Sequence, residues 1–420
     1  MDHFAYKNGI LYAEDLPLTA IAEAVGTPVY VYSRATLERH AQVFRDALSI
    51  LPRVHIAFAI KANPNLAVLR VMRREGLGAD VVSGGEMARA LAAGIPAEDI
   101  VFSGVGKQHH EMIAGLEAGI GQFNLESEEE GIELAELAAE RGLTARCALR
   151  VNPDVDARTH AKISTGKAEN KFGVPIDRGV EIYANLAALP GIEMRGVAVH
   201  IGSQLNSLEP FEEAFAKVGE LVADLRAAGQ SVTHVDLGGG LGVPYKAGDV
   251  FPTPEEYAAM VARVTADWDV TLMFEPGRVI CGNAGVLLTK VVRVKRSSNQ
   301  VPFVVVDAAM NDLARPAMYG AWHDFDAVEP SGDKMTAHIV GPICETGDTF
   351  AMNREIDALA AGDLAVFRTA GAYGATMASS YNSRGFVAEV MVDGDKWAVV
   401  ADRILPEAIT AAERVPDFLD

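Results

Sequence analysis

The sequence has few cysteines and a shortage of basic residues. Three cysteines among 420 residues leave no disulfide framework. The 37 lysines and arginines face 57 aspartates and glutamates, which gives a formal charge of −20. The densest basic stretch, Arg293–Arg296, is short. We therefore expect neither nucleic acid nor an anionic membrane as a partner.

Long apolar runs are also missing. No window holds 18 uninterrupted apolar residues, and Met1–Gly9 contains no apolar segment of the signal-peptide kind. Apolar residues nevertheless make up 49% of the chain, which excludes global disorder. The sequence predicts a globular cytoplasmic protein that handles a small molecule.

Short apolar runs alternate with helical patterns over the first two thirds of the chain. The first five runs begin about 21–25 residues apart, which is the spacing of short strand–helix units. Eight such units predict an α/β fold, a (β/α)₈ TIM barrel, with a doubly wound open sheet as the alternative. The predicted strands are Val54–Ile60, Ala79–Val82, Ile100–Ser103, Gly121–Leu125, Arg146–Val151, Gly196–Ile201, Thr233–Leu237 and Val270–Phe274.

The predicted helix Ser127–Gly142 has the clearest end signals. Ser127 and Glu130 form an S-x-x-E pattern, which predicts a capping box, and Gly142 stands where a helix commonly ends.

The pattern changes near residue 280, where β-branched strand-like runs replace the helical periodicity. We predict a barrel over residues 31–279 and a mainly β domain, a sandwich or barrel, over 280–420. Residues 1–30 would join the β domain through strands near Ile10–Tyr12 and Val29–Tyr32. The predicted C-terminal strands are Val286–Val294, Phe303–Asp307, Ala337–Val340, Asp363–Phe367, Ala388–Val392 and Trp397–Val400.

Polar or glycine-rich segments follow the predicted barrel strands, at the end where such barrels build active sites. Lys61 follows an apolar strand and is either a solvated charge or an amine that forms a Schiff base with an aldehyde. Gly238–Gly240 is either a flexible turn or a set of backbone N–H groups for a phosphate. We favour phosphate binding, because Gly277 and Arg278 follow the next strand and the loops after the last two strands commonly form the phosphate site of such barrels.

Glu275 and His200 each allow more than one role. Glu275 can pair with Arg278, ligate a metal, or pair with a protonated ring nitrogen. Metal ligation has little support, since no cluster with ligand spacing accompanies it, and we predict no metal site. His200 can stack on a flat ring or lie in the core.

Together these segments resemble the fold-type III pyridoxal-phosphate decarboxylases, and the resemblance runs through nearly the whole chain. Seven motifs carry it in the family's order: Phe58–Asn63, His200–Gln204, Gly238–Gly240, Glu275–Arg278, Arg315–Tyr319, Gly341–Asp348 and Gly371–Gly374.

The resemblance implies pyridoxal 5'-phosphate as cofactor, carried on Lys61 through a Schiff base, and a homodimer with active sites at the subunit interface. Cys344 would protonate the carbanion that loss of CO₂ leaves, and Cys344 and Glu345 would reach the other subunit's site. The implied cofactor-binding residues are Lys61, His200, Ser203, Gly239, Gly240, Glu275, Gly277, Arg278 and Tyr373. The implied substrate-binding residues are Arg278, Arg315, Tyr319, Glu345 and Tyr373.

The same groups suit the substrate that the resemblance implies. Arg278 and Arg315 suit bidentate carboxylate recognition, and Glu345 suits an ammonium group. The resemblance implies decarboxylation of the amino acid meso-2,6-diaminopimelate to L-lysine, the last step of lysine biosynthesis. Ornithine, arginine or carboxynorspermidine decarboxylation is the alternative, and a catalytically inactive relative that binds a partner protein is a further one.

Overall fold

The computed structural model describes residues 2–157, 160, 165–166, 170–296 and 300–419. The chain divides into two compact units. The barrel unit comprises Glu38–Val243 and Val250–Ile280, and the β unit comprises Met1–Leu37, Pro244–Asp249 and Cys281–Asp420.

The bounds of the elements are as follows in chain order. The strands are β1 Phe4–Lys7, β2 Ile10–Ala13, β3 Leu16–Pro17, β4 Val29–Ser33, β5 Val54–Ala59, β6 Gly78–Val81, β7 Ile100–Phe102, β8 Gln122–Leu125, β9 Ala145–Asn152, β10 Val174–Pro175, β11 Ile192–Ala198, β12 His234–Asp236, β13 Thr271–Phe274, β14 Gly285–Lys295, β15 Phe303–Val306, β16 Phe325–Ala327, β17 Lys334–Val340, β18 Thr349–Asp357, β19 Leu364–Phe367, β20 Ala388–Asp393 and β21 Lys396–Ala401. The α-helices are α1 Leu18–Val25, α2 Arg34–Leu48, α3 Leu66–Arg74, α4 Gly84–Ala92, α5 His109–Ala118, α6 Glu128–Glu140, α7 Gly179–Ala187, α8 Glu209–Ala227, α9 Pro254–Val264, α10 Arg278–Cys281, α11 Arg315–Tyr319 and α12 Pro406–Thr410.

The barrel unit contains a closed parallel barrel. Its eight strands follow the order β5-β6-β7-β8-β9-β11-β12-β13, and β13 pairs with β5 to close the ring. Each of the eight predicted strands coincides with one of these within a few residues. The barrel prediction is confirmed, and the open-sheet alternative is wrong because the first and last strands pair.

The strands follow from their composition. Barrel strands are covered on both faces and therefore consist of nearly continuous buried residues. The four residues of β6 and the four of β8 are all buried. Helices cover the outside with amphipathic faces, as in α3, where Val68, Leu69 and Met72 are buried.

The predicted capping box of α6 is only half formed. The Ser127 hydroxyl accepts the Glu130 N–H, and Gly142 takes the left-handed φ of +63° expected after a helix. The Glu130 carboxylate does not return the bond; it binds the buried Lys107 ammonium at 2.7 Å. A buried ammonium needs a counter-charge, and that need prevails over the local helix cap.

The β unit is built around the long strand β14. It pairs antiparallel with β4, β15 and β19, and β20 lies parallel to β4 on the far side. Of the two predicted N-terminal strands, β4 joins this sheet and contributes Val29 and Val31 to the buried cluster around Leu288 and Val390. The other, β2, pairs instead with β1 and β3 in a separate three-stranded sheet.

Strand β18 was not predicted. Its sequence, Thr349–Asp357, is largely polar, and half-exposed or exposed residues alternate irregularly with buried ones. Among the described strands it pairs with β17 alone, at the edge of the sheet, where one side faces solvent and the apolar pattern is weak. None of the helices in the described ranges combines the length and apolar character that a membrane span requires.

Lys107 offers a test of the buried charge near the barrel rim. Its side chain is 1% exposed and donates to Glu130, to the Gly104 carbonyl at 2.8 Å and to the Asn124 carbonyl at 2.7 Å. Lys107→Met leaves a buried carboxylate without its cation, so we expect a loss of roughly 3–5 kcal/mol in unfolding free energy, measured by urea denaturation.

Lys217→Met is the matched control. Lys217 also binds a glutamate and two backbone carbonyls, but its side chain is 36% exposed. Its loss should cost under about 1 kcal/mol. Equal losses for the two variants would contradict burial as the cause.

Candidate functional site

The predicted site residues of the barrel unit all follow parallel strands at one rim. Lys61 lies in a single 3₁₀ turn, Ile60–Ala62, after β5. His200 and Ser203 follow β11, Gly239 and Gly240 follow β12, and Glu275, Gly277 and Arg278 follow β13. Parallel strand direction puts these segments at the same end of the barrel, which is the end that carries chemistry in this architecture.

Lys61 is held by an aspartate at the end of the neighbouring strand. Its Nζ lies 2.8 Å from Oδ2 of Asp80, whose side chain is fully buried, while the Lys61 side chain is 34% exposed. Oδ1 of Asp80 has no hydrogen-bond partner. The amine is thus fixed by a buried carboxylate but accessible at the rim.

Glu275 belongs to a buried polar network below Lys61. Burial raises the pKa of Glu275 well above its usual range, and the charges of Asp236 and Asp80 raise it further. Asp236 accepts hydrogen bonds from the Gly238 N–H and from Asn124 Nδ2, both at 2.9 Å. Glu275 has longer contacts, with the Ser103 hydroxyl at 3.3 Å. Asp236 has the shorter hydrogen bonds and therefore keeps the negative charge, while Glu275 keeps the proton.

His200 is a neutral imidazole. Burial lowers its pKa well below the usual range, and the charges of Lys61 and Arg150 act in the same direction. Its Nδ1 accepts the Gly239 N–H at 3.2 Å, so Nδ1 carries no proton. The glycine amide thereby holds the flat ring in one orientation at the rim.

The glycine run after β12 permits close backbone approach. A Cβ on Gly239 would lie 2.2 Å from the Glu275 carbonyl oxygen, and one on Gly240 would lie 2.6 Å from the Gly202 carbonyl oxygen. Beside it the buried Arg278 donates from Nη2 to the Ser203 hydroxyl at 2.9 Å. Backbone amides and a guanidinium at one rim suit an anionic group such as a phosphate.

The remaining predicted residues lie in the β unit. Arg315 begins α11, and its buried Nη1 lies 2.8 Å from His323 Nε2. Tyr319 ends the same helix. Tyr373 adopts a left-handed φ of +54°, a strained conformation for a tyrosine that commonly marks a functional turn.

Cys344 and Glu345 are exposed on the loop between β17 and β18. The buried Asp348 fixes this loop by accepting the N–H groups of Met310 and Ile343, each at 2.7 Å. The Glu345 carboxylate accepts a hydrogen bond from Tyr381, which raises the pKa of that phenol. The loop therefore presents a thiol and a carboxylate to solvent from a rigid base.

The other two cysteines differ from Cys344. Cys147 and Cys281 are buried, and burial raises the pKa of the Cys147 thiol. Both are suited to packing, whereas Cys344 is accessible.

Several residues of the site were missed by the sequence reading. Asp80 and Asp236 are each the one acid in a predicted barrel strand, which was an available signal. His323 and Tyr381 carried none, since their roles depend on tertiary contacts.

Comparison with known proteins decides the family. The model of the family described as "Pyridoxal-dependent decarboxylase, pyridoxal binding domain" matches residues 34–282. The chain belongs to the pyridoxal-dependent decarboxylase family. It is 52% identical to a diaminopimelate decarboxylase of Zymomonas mobilis over 99% of both chains, and 49% identical to that of Pseudomonas aeruginosa over 98% of this chain.

Solved structures of decarboxylases share the fold. Diaminopimelate decarboxylase from M. jannaschii in co-complex with L-lysine is 36% identical, with a TM-score of 0.95 over 100% of this chain and 99% of that one. The Helicobacter pylori enzyme complexed with L-lysine is 37% identical, with a TM-score of 0.90 over 94% of this chain and 98% of that one.

The cofactor of this decarboxylase is pyridoxal phosphate, and the residues at the rim fit it. The accessible amine of Lys61 matches the aldehyde of the cofactor. The neutral imidazole of His200 matches its flat ring, and the buried carboxyl of Glu275 matches its ring nitrogen. Glycine amides, Ser203 and Arg278 match the phosphate. The unpartnered, buried Oδ1 of Asp80 shows a polar site built to be completed by another group.

The raised pKa of Glu275 predicts a pH-dependent stability of the cofactor-free protein. The folded chain keeps a proton that the unfolded chain releases above the ordinary glutamate pKa of 4.5. The stability that Glu275 contributes is therefore full below that pH and is lost as the pH rises. Glu275→Gln does not titrate, so it should raise the melting temperature at pH 8 and lose this advantage toward pH 5.

Glu355→Gln, on an exposed position of β18, is the control and should show no such trend. A Glu275→Gln difference that stays constant across pH 5–9 would contradict the buried, protonated carboxyl.

Proposed function

We propose that this chain decarboxylates meso-2,6-diaminopimelate to L-lysine and CO₂. The observation that carries the proposal is the near-complete match to curated diaminopimelate decarboxylases, 52% identity over 99% of both chains in one case. The chain is a carboxy-lyase, and its amino-acid substrate agrees with the L-lysine in the related solved structures.

The charges on the chain suit a long amino acid with two ionic ends. We assign Arg278 and Arg315 to a carboxylate, because a guanidinium binds two carboxylate oxygens in a fixed geometry. Glu345 suits the ammonium at the same end, with Tyr319 and Tyr373 beside the substrate. The end so recognised is the L-centre, and the D-centre is left to react.

Pyridoxal phosphate, when bound, supplies an electron sink for the pair released as the carbon–carbon bond to CO₂ breaks. Lys61 would hold the cofactor through Nζ and would take up or give up a proton at that atom. Asp80 keeps that amine at the rim and accepts its hydrogen bond when it is protonated.

Glu275 and His200 set the electrostatics around the reacting carbon. The buried Glu275 carboxyl would hold the ring nitrogen of the cofactor by a shared proton, which would favour positive charge there. His200 is neutral and would cover a ring face without adding charge. The glycine amides and Arg278 would hold the phosphate and so keep the reacting carbon in one position.

Cys344 is the proton donor in this proposal. After CO₂ leaves, the substrate carbon needs a proton at one face, and the accessible thiol supplies it from Sγ. The other two thiols are buried and have no such access.

We further propose a cytoplasmic homodimer in which Cys344 and Glu345 serve the partner's barrel site. The exposure of both side chains on a rigid loop supports this assignment. Sedimentation of the holoenzyme at the mass of one chain would contradict it.

A CO₂-release assay with several amino acids tests the function. Meso-diaminopimelate should exceed ornithine and arginine in kcat/KM by roughly 10⁴-fold, because each lacks a group that the site is built to bind. The LL isomer of diaminopimelate and L-lysine lack the D-centre carboxylate and should release no CO₂. The Lys61→Ala protein is the control for a contaminating enzyme. Faster release from ornithine or arginine would contradict the assignment.

A further inference from the structure

We infer that His323 is a positioning residue. Together with Tyr245 it orients the Arg315 guanidinium, which binds the carboxylate of the ligand. The inference deepens the proposed function and rests on its assignment of Arg315 to the L-centre carboxylate. It concerns contacts within the β unit alone.

The contact between Arg315 and His323 is short and buried. Nη1 of Arg315 lies 2.8 Å from Nε2 of His323, and the two residues are 6% and 2% exposed. A long guanidinium side chain has many rotamers, and a buried partner restricts it to few. This hydrogen bond therefore determines where the remaining N–H groups of Arg315 point.

The backbone fixes the protonation of His323. Its Nδ1 lies 2.8 Å from the carbonyl oxygen of Arg368, which can only accept a hydrogen bond. Nδ1 therefore carries the proton and Nε2 is left as the acceptor for Arg315. A neutral ring with this single tautomer is locked between a carbonyl and a guanidinium.

Tyr245 supplies the second restraint. The guanidinium carbon of Arg315 lies 4.1 Å from the Tyr245 ring centroid, and the same ring meets His323 edge-on at 5.1 Å. This cation–π contact restrains the position of the guanidinium over the ring, and the His323 hydrogen bond restrains its rotation. Neither partner is negatively charged, so they orient Arg315 without neutralising it.

A ligand pair separates orientation of Arg315 from general stability. L-Lysine carries the carboxylate that Arg315 is proposed to read, and 1,5-diaminopentane is lysine without it. A displaced guanidinium would lower the affinity for L-lysine alone. If His323 had a merely structural role, its loss would lower the affinity for both ligands.

The experiment measures the dissociation constants of the two ligands for the holoenzyme by calorimetry. His323→Ala should weaken L-lysine by roughly tenfold or more, since small misplacements of binding groups are costly, and leave 1,5-diaminopentane within about twofold. His323→Gln should restore most of the lysine affinity, because its amide can donate to the Arg368 carbonyl and accept from Arg315.

His338→Ala is the matched control. His338 lies in the same unit, packs on Phe303 and accepts the Asn353 N–H, without contact to Arg315 in either interaction. It should leave both affinities unchanged. If His323→Ala does not fold, Tyr245→Leu removes the second restraint and should show the same selective loss.

Parallel weakening of both ligands, or unchanged lysine affinity in the His323 and Tyr245 variants, would overturn the inference. Failure of the proposed function is seen separately, as a wild-type protein that releases no CO₂ from meso-diaminopimelate. A wild-type protein that binds lysine no better than 1,5-diaminopentane would also overturn the role of Arg315 and with it that of His323.

Discussion

The barrel site depends on one electrostatic constraint, which is that three carboxyls are buried next to a single amine. Asp80 pairs with Lys61, while burial and the charge of the neighbouring Asp236 raise the pKa of Glu275. A buried charge without a partner is expensive, so the group responds by pairing or by keeping its proton. Asp80 pairs with Lys61, and Glu275 keeps its proton.

This constraint explains why the rim is selective for one kind of ligand. The interior carries an excess of negative charge, which favours a cationic ring nitrogen at depth. The outer edge carries glycine amides and Arg278, which favour an anion. An overall charge of −20 therefore coexists with a phosphate site, because a few oriented donors set the local potential.

Much of the barrel was predictable from the sequence, for a physical reason. Parallel strands that are covered on both faces have short apolar sequences, so all eight could be predicted. Their C-terminal ends then identified Lys61, His200 and Glu275 as candidate site residues. Strand β18 was not predicted, because an edge strand needs no apolar pattern. The site roles remain predictions, since sequence position alone does not show which atoms a ligand contacts.

What the sequence could not indicate are the partners that tune each group. Asp80 meets Lys61 only because β5 and β6 are neighbours in the closed barrel, and Asp236 meets Glu275 in the same way. In the β unit, His323 reaches Arg315 through a turn that no periodicity predicts. Such contacts are set by tertiary structure.

The most direct test of the central claim is to reduce the holoenzyme with borohydride and map the modified peptide by mass spectrometry. We predict a pyridoxyl group on Lys61, which lies at the rim beside Asp80. A pyridoxyl group on another lysine, or a reducible linkage that persists in Lys61→Ala, would contradict it.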